Sequence, residues 1–274
     1  MQAQGTTIQI GIDDVRFIAQ VIGVTPPSAS RESIDMTHIG TEDAKIFEPA
    51  DLVDWGEMSV EVIFDPATVP EIAGTTQYVI ITYPDATLFG FNAFVTGFEP
   101  SVPMDDKATA TITMKVSGAA EVLVGGAELV ENGTFPYGAS AFDGWDPGNW
   151  VSVDGTPDYA RFTWDGTGSG PSSYKMFNTD LSVETETLYL VSVDVISPIK
   201  PASAYLKVEI GGYECNVPSS FYGHTTFKRF KFVARTLGIA RLGPLGISVE
   251  TPIAEAFDFG VTNFSVKELT IVEE

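Results

Sequence analysis

The chain has 274 residues, 44% of them hydrophobic, with 37 acidic against 15 basic side chains and a formal charge of −22. Neutralising nucleic acid phosphates takes clustered Lys and Arg, so this balance argues against binding DNA or RNA. The single cysteine, Cys215, excludes an intrachain disulfide framework, and no apolar stretch approaches the roughly twenty residues that span a bilayer.

In chain order, Thr7–Ile12 alternates as a strand does, and Asp13-Asp14 turns it into a second, Phe17–Val24, closed by Pro26-Pro27. A further extended run, Glu32–Thr37, precedes a polar stretch from Gly40 to Asp54 that reads as a long loop. Met58–Phe64 alternates again. Asp65-Pro66 then has the form of a helix cap followed by a first-turn proline, which predicts one short helix over Ala67–Ala73. Strands follow at Tyr78–Tyr83 and Leu88–Phe98. After a bend marked by Pro100, Pro103, Asp105 and Asp106, Ala108, Ala110, Ile112, Met114 and Val116 alternate with Thr109, Thr111, Thr113 and Lys115. Period-two alternation of this length demands a sheet with one buried and one wet face.

The first segment ends at Ser117-Gly118. Residues 119–127, small and closing on Gly125-Gly126, read as a linker, and a second domain is expected over 128–274. Its clearest strand candidates are Tyr159–Trp164, Thr187–Ile196, Ala204–Ile210, Thr226–Ala234, Gly246–Val249 and Val261–Val266. About eight strands with glycine-rich turns suggest a jelly-roll sandwich. Cys215, within Tyr213–Val217, reads as a small buried strand residue. The chain is therefore expected to be all-β, with two domains at 1–118 and 128–274. Met1–Gly5 lacks the charge and apolar run of an export signal, so a soluble protein made in a cytoplasm is expected.

The first segment resembles the tail tube protein (major tail protein) family of long-tailed bacteriophages. The likeness lies in Ile34-Asp35-Met36-Thr37, Trp55-Gly56-Glu57, Phe64-Asp65-Pro66 and the block from Phe94-Val95-Thr96-Gly97-Phe98-Glu99-Pro100 to Lys115-Val116-Ser117-Gly118. It implies a β-sandwich or barrel with one short helix, assembled into hexameric rings that stack into a tube in the virion. It also implies tape measure, tail terminator and distal tail proteins as partners, and DNA that passes through without specific binding. His38 departs from the family's pattern and reads as a loop or interface residue. From Met1 to Gly125 there are 18 acids and 5 bases, net −13; from Gly126 onward there are 19 and 10, net −9. Acid facing a bore would keep DNA from adhering. The candidates for lumen or interface are Asp35, Glu57, Glu61, Glu99, Asp105 and Asp106.

The second domain resembles carbohydrate-binding-module jelly rolls with a galactose-binding-like fold. The matching residues are Leu129–Phe135, Gly144-Trp145, Trp150 and Phe257–Val266. Such modules stack sugars on aromatic rings. The glycan-binding candidates are Trp145, Trp150, Tyr159, Trp164, Tyr174 and Tyr213, with host glycans as the implied ligand. Many of these modules carry a structural calcium, for which Glu131, Asn132, Asp258 and Asn263 are the oxygen-bearing candidates. No nucleophile elbow, phosphate loop, dinucleotide fingerprint or zinc spacing occurs, and Gly166–Gly170 has no lysine and no following helix. An enzyme is not expected. The alternative to a virion subunit is a free carbohydrate-binding protein with a β adaptor domain.

Overall fold

The computed structural model describes residues 5–12, 17–38, 44–66, 69–72, 74–104, 107–130, 133–135, 145–146, 151–154, 159–164, 173–178, 180–199, 201, 203–237, 245–250 and 256–272. The chain divides into two compact units, one of residues 1–11 and 16–122, the other of residues 12–15 and 123–274.

The first unit contains β1 (Thr7–Ile10), β2 (Phe17–Thr25), β3 (Ser30–Asp35), β4 (Phe47–Asp54), β5 (Glu57–Ile63), β6 (Gln77–Thr82), β7 (Thr87–Ser101) and the start of β8 (Thr109–Glu128). Six of these close on themselves in the order β8-β5-β2-β1-β6-β7, with β7 pairing back to β8. Closure leaves this barrel no free sheet edge. The alternation seen in sequence supplies its filling. Ala110, Ile112, Met114 and Val116 point inward, opposite Val62, Val60 and Met58 of β5, and meet Ile8, Ile10, Val79, Ile81, Phe91, Ala93 and Val95. Burying a side chain of this size stabilises by about 1.5–3 kcal/mol. A one-residue slip of β8 would exchange that row for threonines and Lys115, so the register is fixed by packing.

Three expectations are corrected in this unit. The described residues of 64–76 contain turns at Pro66 and Ile72 but no helix. Pro70 lacks an N–H and pushes Val69 away from helical geometry, leaving too few residues to nucleate a turn; Ala67, Thr68 and Ala73 lie outside the described residues. The stretch read as a polar loop holds β4, which pairs with β3 despite Pro49, through a register shift between Arg31 and Ser33. Residues 119–127, read as a linker, are strand. Leu123 is buried and lies opposite Ile271, while a Cβ on Gly126 would stand 3.3 Å from the Glu268 carbonyl oxygen. The small residues there allow close backbone approach; they do not mark flexibility.

The second unit contains β9 (Trp145–Asp146), β10 (Val151–Asp154), β11 (Tyr159–Trp164), β12 (Ser173–Asn178), β13 (Leu188–Ser197), β14 (Tyr205–Ile210), β15 (Tyr213–Asn216), β16 (His224–Arg235), β17 (Leu245–Glu250) and β18 (Phe257–Ile271). They form a jelly-roll type sandwich. One sheet runs β10-β11-β18-β13-β16, with the last residues of β8 also on β18, and the other runs β15-β14-β17-β12-β9. Among the described residues the only helical turn is a 3-10 turn at Ser219–Phe221.

The sandwich core is aromatic. Tyr213 stacks on Phe232 at 6.5 Å, and Tyr222 meets Phe259 edge-on at 5.1 Å. Tyr222 is 7% exposed, and its hydroxyl donates to the Val217 carbonyl at 2.8 Å and accepts from the Leu206 N–H at 2.9 Å. Burial pushes its ionisation up, and the two bonds satisfy a polar atom that would otherwise be costly. Glu128 ties the start of the unit to β18. Its carboxylate accepts from the N–H groups of Val130 and Val266 and from the Ser265 hydroxyl.

On the outer side of the first sheet, the Tyr159 ring lies over Gly260. A Cβ there would fall 2.5 Å from the ring and 2.6 Å from Ile196. Gly260→Ala is therefore expected to destabilise this unit by about 1–3 kcal/mol through overpacking. Tyr159→Ala in the same chain should recover part of the loss. Chemical denaturation of the four members of this double-mutant cycle measures both effects, with the coupling as the decisive quantity.

Candidate functional site

Two surfaces of the first unit carry the residues singled out by sequence. The first is the outer wall formed by β5 and β8. Cross-strand pairs set Glu57 against Lys115, Ser59 against Thr113, Glu61 against Thr111 and Ile63 against Thr109. Glu57 and Glu61 are exposed on this wall. On β7, Asn92, Phe94 and Thr96 are exposed, and the Thr96 hydroxyl donates to the Thr113 carbonyl at 3.1 Å. The wall is a threonine-rich, mildly acidic surface without a nucleophile or paired acid–base geometry. Glu99 is exposed near the end of β7, before exposed Val102 and Met104. Asp105 and Asp106 lie outside the described residues.

The second surface is the arm made by β3 and β4. All of β3 and every residue of β4 but Ala50 are exposed. An isolated two-stranded hairpin is marginal in water, since neither face has a core. This one also displays apolar side chains: Leu52 is 84% exposed, and Ile34, Met36, Ile46, Phe47 and Val53 are each about half exposed. Local hydrogen bonds hold its shape. Arg31 Nε donates to the Ala50 carbonyl, Met36 N–H to the Ile46 carbonyl at 2.8 Å and Ile46 N–H to the Thr37 hydroxyl at 3.1 Å. Asp35 Oδ1 accepts from Thr37 N–H at 2.9 Å, and hydrogen bonding from Thr37 holds the Asp35 carboxyl below its usual range. His38 is exposed beside this turn.

The arm is fastened to the wall at its root. Asp54 ends β4 and accepts from Gly56 N–H at 2.8 Å, with Gly56 in the left-handed region at φ 65°. Lys115 Nζ reaches both Asp54 oxygens, at 3.1 and 3.2 Å. The Gly56 bond first, then Lys115, lowers the Asp54 pKa. Of the six acidic candidates, the structure thus brings Glu57 and Glu61 together on the wall and puts Asp35 on the arm. The sequence reading missed Phe47, Leu52 and Val53, because Pro49 and the register shift break the alternation that would have revealed a strand.

The glycan and calcium candidates of the second unit separate clearly. Trp145 is 5% exposed and packs against Phe135 and Phe264, each at 5.2 Å, so it is a core residue and offers no ring face to a sugar. Tyr213 is 3% exposed and equally internal. Their apolar bodies fill the space between the sheets. Tyr159 is half-buried, edge-on to Phe227 at 5.4 Å. Trp150 and the side chains of Trp164 and Tyr174 lie outside the described residues, as do Glu131 and Asn132. Asp258 uses both oxygens on Arg161, each bond 2.9 Å, and the Asn263 amide donates to Asp194 Oδ2 at 2.8 Å. Cys215 is buried, and burial pushes its thiol pKa up, away from reactivity.

Residues 2–123 match the Lambda phage tail tube protein family. The first unit is the part of the chain that is similar to this family. The match covers 122 of the 274 residues and coincides with the closed barrel and its arm. No curated protein matches the chain. Among solved structures, the tail of an empty gene transfer agent particle is similar at 16% identity and a TM-score of 0.35, over 44% of this chain and 96% of that one. A family 16 carbohydrate binding module is similar at 16% identity and 0.35, over 50% and 98%. The arabinose-bound α-L-arabinofuranosidase MgGH51 is similar at 15% identity and 0.39, over 52% of this chain but only 26% of the enzyme. Likenesses this distant carry no argument about activity.

The root clamp has a measurable signature. The lowered Asp54 pKa means the clamp holds above the ordinary carboxylate value of about 3.9 and is lost as pH falls through the lower folded value. Lys115→Met removes one of the two causes. Carbon-detected NMR titration of the Asp54 carboxyl should show its pKa move upward in the variant, with the Gly56 bond keeping it below the free value.

Proposed function

We propose that the chain is a virion structural subunit whose first unit forms hexameric rings stacked into a tail tube, built in the host cytoplasm. The observation that carries this reading is the coincidence of the tail tube family match with a closed barrel bearing a coreless, apolar arm. Alone, such an arm spends exposed apolar surface without return. Laid on a neighbouring ring, it buries Leu52, Phe47 and Val53 and gains a core.

The wall of threonines with Glu57 and Glu61 supports a lumen that repels DNA and does not bind it. Duplex DNA carries one phosphate charge per roughly 1.7 Å, so any weak attraction would accumulate along a tube. Tape measure, tail terminator and distal tail proteins are the partners this assembly requires. The second unit decorates the outside of the tube, and its jelly-roll sandwich supports a role in binding surface glycans of the host. No step of this function is chemical.

Two experiments test the tube. Leu52→Asp places a charge on the exposed arm, outside the barrel core, so the barrel's thermal unfolding should be unchanged while tube assembly falls at least about tenfold, equivalent to 1.4 kcal/mol per contact. Electron microscopy with sedimentation reads the result; normal tubes from the variant would sink the arm's role. Glu57→Lys with Glu61→Lys should leave tubes intact and slow DNA ejection from reconstituted particles. Unchanged ejection kinetics would count against repulsion by this wall.

A further inference from the structure

We propose that the contact between His224 and Lys228 is an acid-sensitive latch, which holds a bulge of β16 against the 3-10 turn at Ser219–Phe221 and releases it when His224 is protonated. The geometry begins with register. Lys228 lies opposite Val195 of β13 and His224 opposite Ser197, so β16 takes four steps where β13 takes two. In a regular strand, residues four apart stand roughly 13 Å from one another. The bulge at residues 225–227 removes that separation and brings Lys228 Nζ to 2.6 Å from His224 Nε2. Since β16 is the last strand of its sheet, release changes the sheet's edge without breaking an interior pairing.

Both side chains also meet one backbone oxygen. Lys228 Nζ donates to the Ser220 carbonyl at 3.3 Å, and His224 Nε2 lies 3.2 Å from the same oxygen. That oxygen belongs to a turn anchored in the core. Phe221 is buried and meets Phe230 edge-on at 5.4 Å, while the Tyr222 hydroxyl bonds Val217 and Leu206. Nε2 therefore has one lone pair and two neighbours. As the acceptor from Lys228 it requires a neutral ring, with its proton on Nδ1. Once the ring carries both protons, Nε2–H faces an ammonium group that it touches, and the two cations compete for the Ser220 carbonyl.

No carboxylate softens this meeting. Among the described residues, the interactions of His224 and Lys228 are with Ser220 and with each other. Asp194 on β13 is bound by Arg229 and Asn263, Asp258 on β18 by Arg161, and Glu214 on β15 by Lys207. Tyr159 on β11 meets Phe227 of the bulge edge-on at 5.4 Å, and the 3-10 turn contains no charged residue. Lys200, beyond β13, lies outside the described residues. Burial lowers the Lys228 pKa, so a second positive charge would arrive beside one already disfavoured. Histidine changes charge between pH 5 and 8. The latch is closed at the upper end of that range and opens at the lower, because the open form takes up the extra proton. Ordinary carboxylates, with values of about 3.9–4.3, stay ionised across it, and the chain has one other histidine, His38.

Amide hydrogen exchange of the full chain tests the latch, read by mass spectrometry at about pH 7.5 and about pH 5.5 and corrected for intrinsic rates. Residues 219–228 should lose protection at least about tenfold at the lower pH, while β17 keeps its own. His224→Gln retains an acceptor for Lys228 but cannot take up the charge, so its protection should be equal at both pH values. In Lys228→Met the protonated imidazole donates to the Ser220 carbonyl unopposed, and the pH effect should vanish there too. His38→Gln should behave as the wild type. Thermal unfolding shows which variants are folded, and each of the first two decides the question without the other. Unchanged protection in the wild type overturns the latch. So does a loss that persists in His224→Gln or Lys228→Met, or one that disappears in His38→Gln.

Discussion

The first unit depends on β8 being hydrogen-bonded along both edges, to β5 on one side and β7 on the other. That double pairing closes the barrel, and closure divides the side chains of every strand into an inner and an outer set. The inner set has to fill a narrow space, which explains the run of Ala110, Ile112, Met114 and Val116. The outer set is released from any packing duty. It is therefore free to be threonine-rich and chemically inert. The arm has a different standing, because it hangs outside the ring of pairing and draws nothing from the core.

The same separation of duties governs charge. Among its described residues the first unit keeps acid off the packed faces and spends it on surfaces: Glu57 and Glu61 on the wall, Asp35 on the arm, Glu99 near a hairpin tip. Where a charge does take a structural part it is paired or multiply hydrogen-bonded, as with Asp54 at the arm's root and Asp258 on Arg161. Lys207 shows the balance inside one residue. Burial works against its charge, but the hydrogen bond and charge of Glu214, with Glu250 behind, raise its pKa overall. A strongly acidic chain can therefore remain well packed, because repulsion is confined to places where water screens it.

Strands with strict alternation were legible in sequence nearly to the residue. Tyr159–Trp164 is one, and the start of β8 at Ala108–Val116 another, although β8 runs on to Glu128, past where the alternation ends. The arm was not legible, because Pro49 and the shift between Arg31 and Ser33 erase the period while the strand persists. Pro66 suggested a helix start, but Pro70 four residues later counted for more. Gly125-Gly126 looked like a hinge, and only tertiary pairing shows that glycine serves there to admit Lys267 and the Glu268 carbonyl at short range. In the second unit, aromatic identity alone could not tell a sugar platform from a core plug. Trp145 and Tyr213 proved to be plugs.

The coreless arm carries one last implication, for the kinetics of polymer growth. In the proposed tube its ordering cost would be met by a neighbour and not by its own chain, so the first few subunits to meet would gain little and later ones more. Growth of that kind has a threshold concentration and a lag. Free subunits would accumulate in solution without polymerising at random, and would then add rapidly once a seed presents a ready surface. In that proposed assembly, an exposed hairpin that looks like a defect in the monomer would act as a timing device, deferring elongation until something else has fixed where a tube should begin.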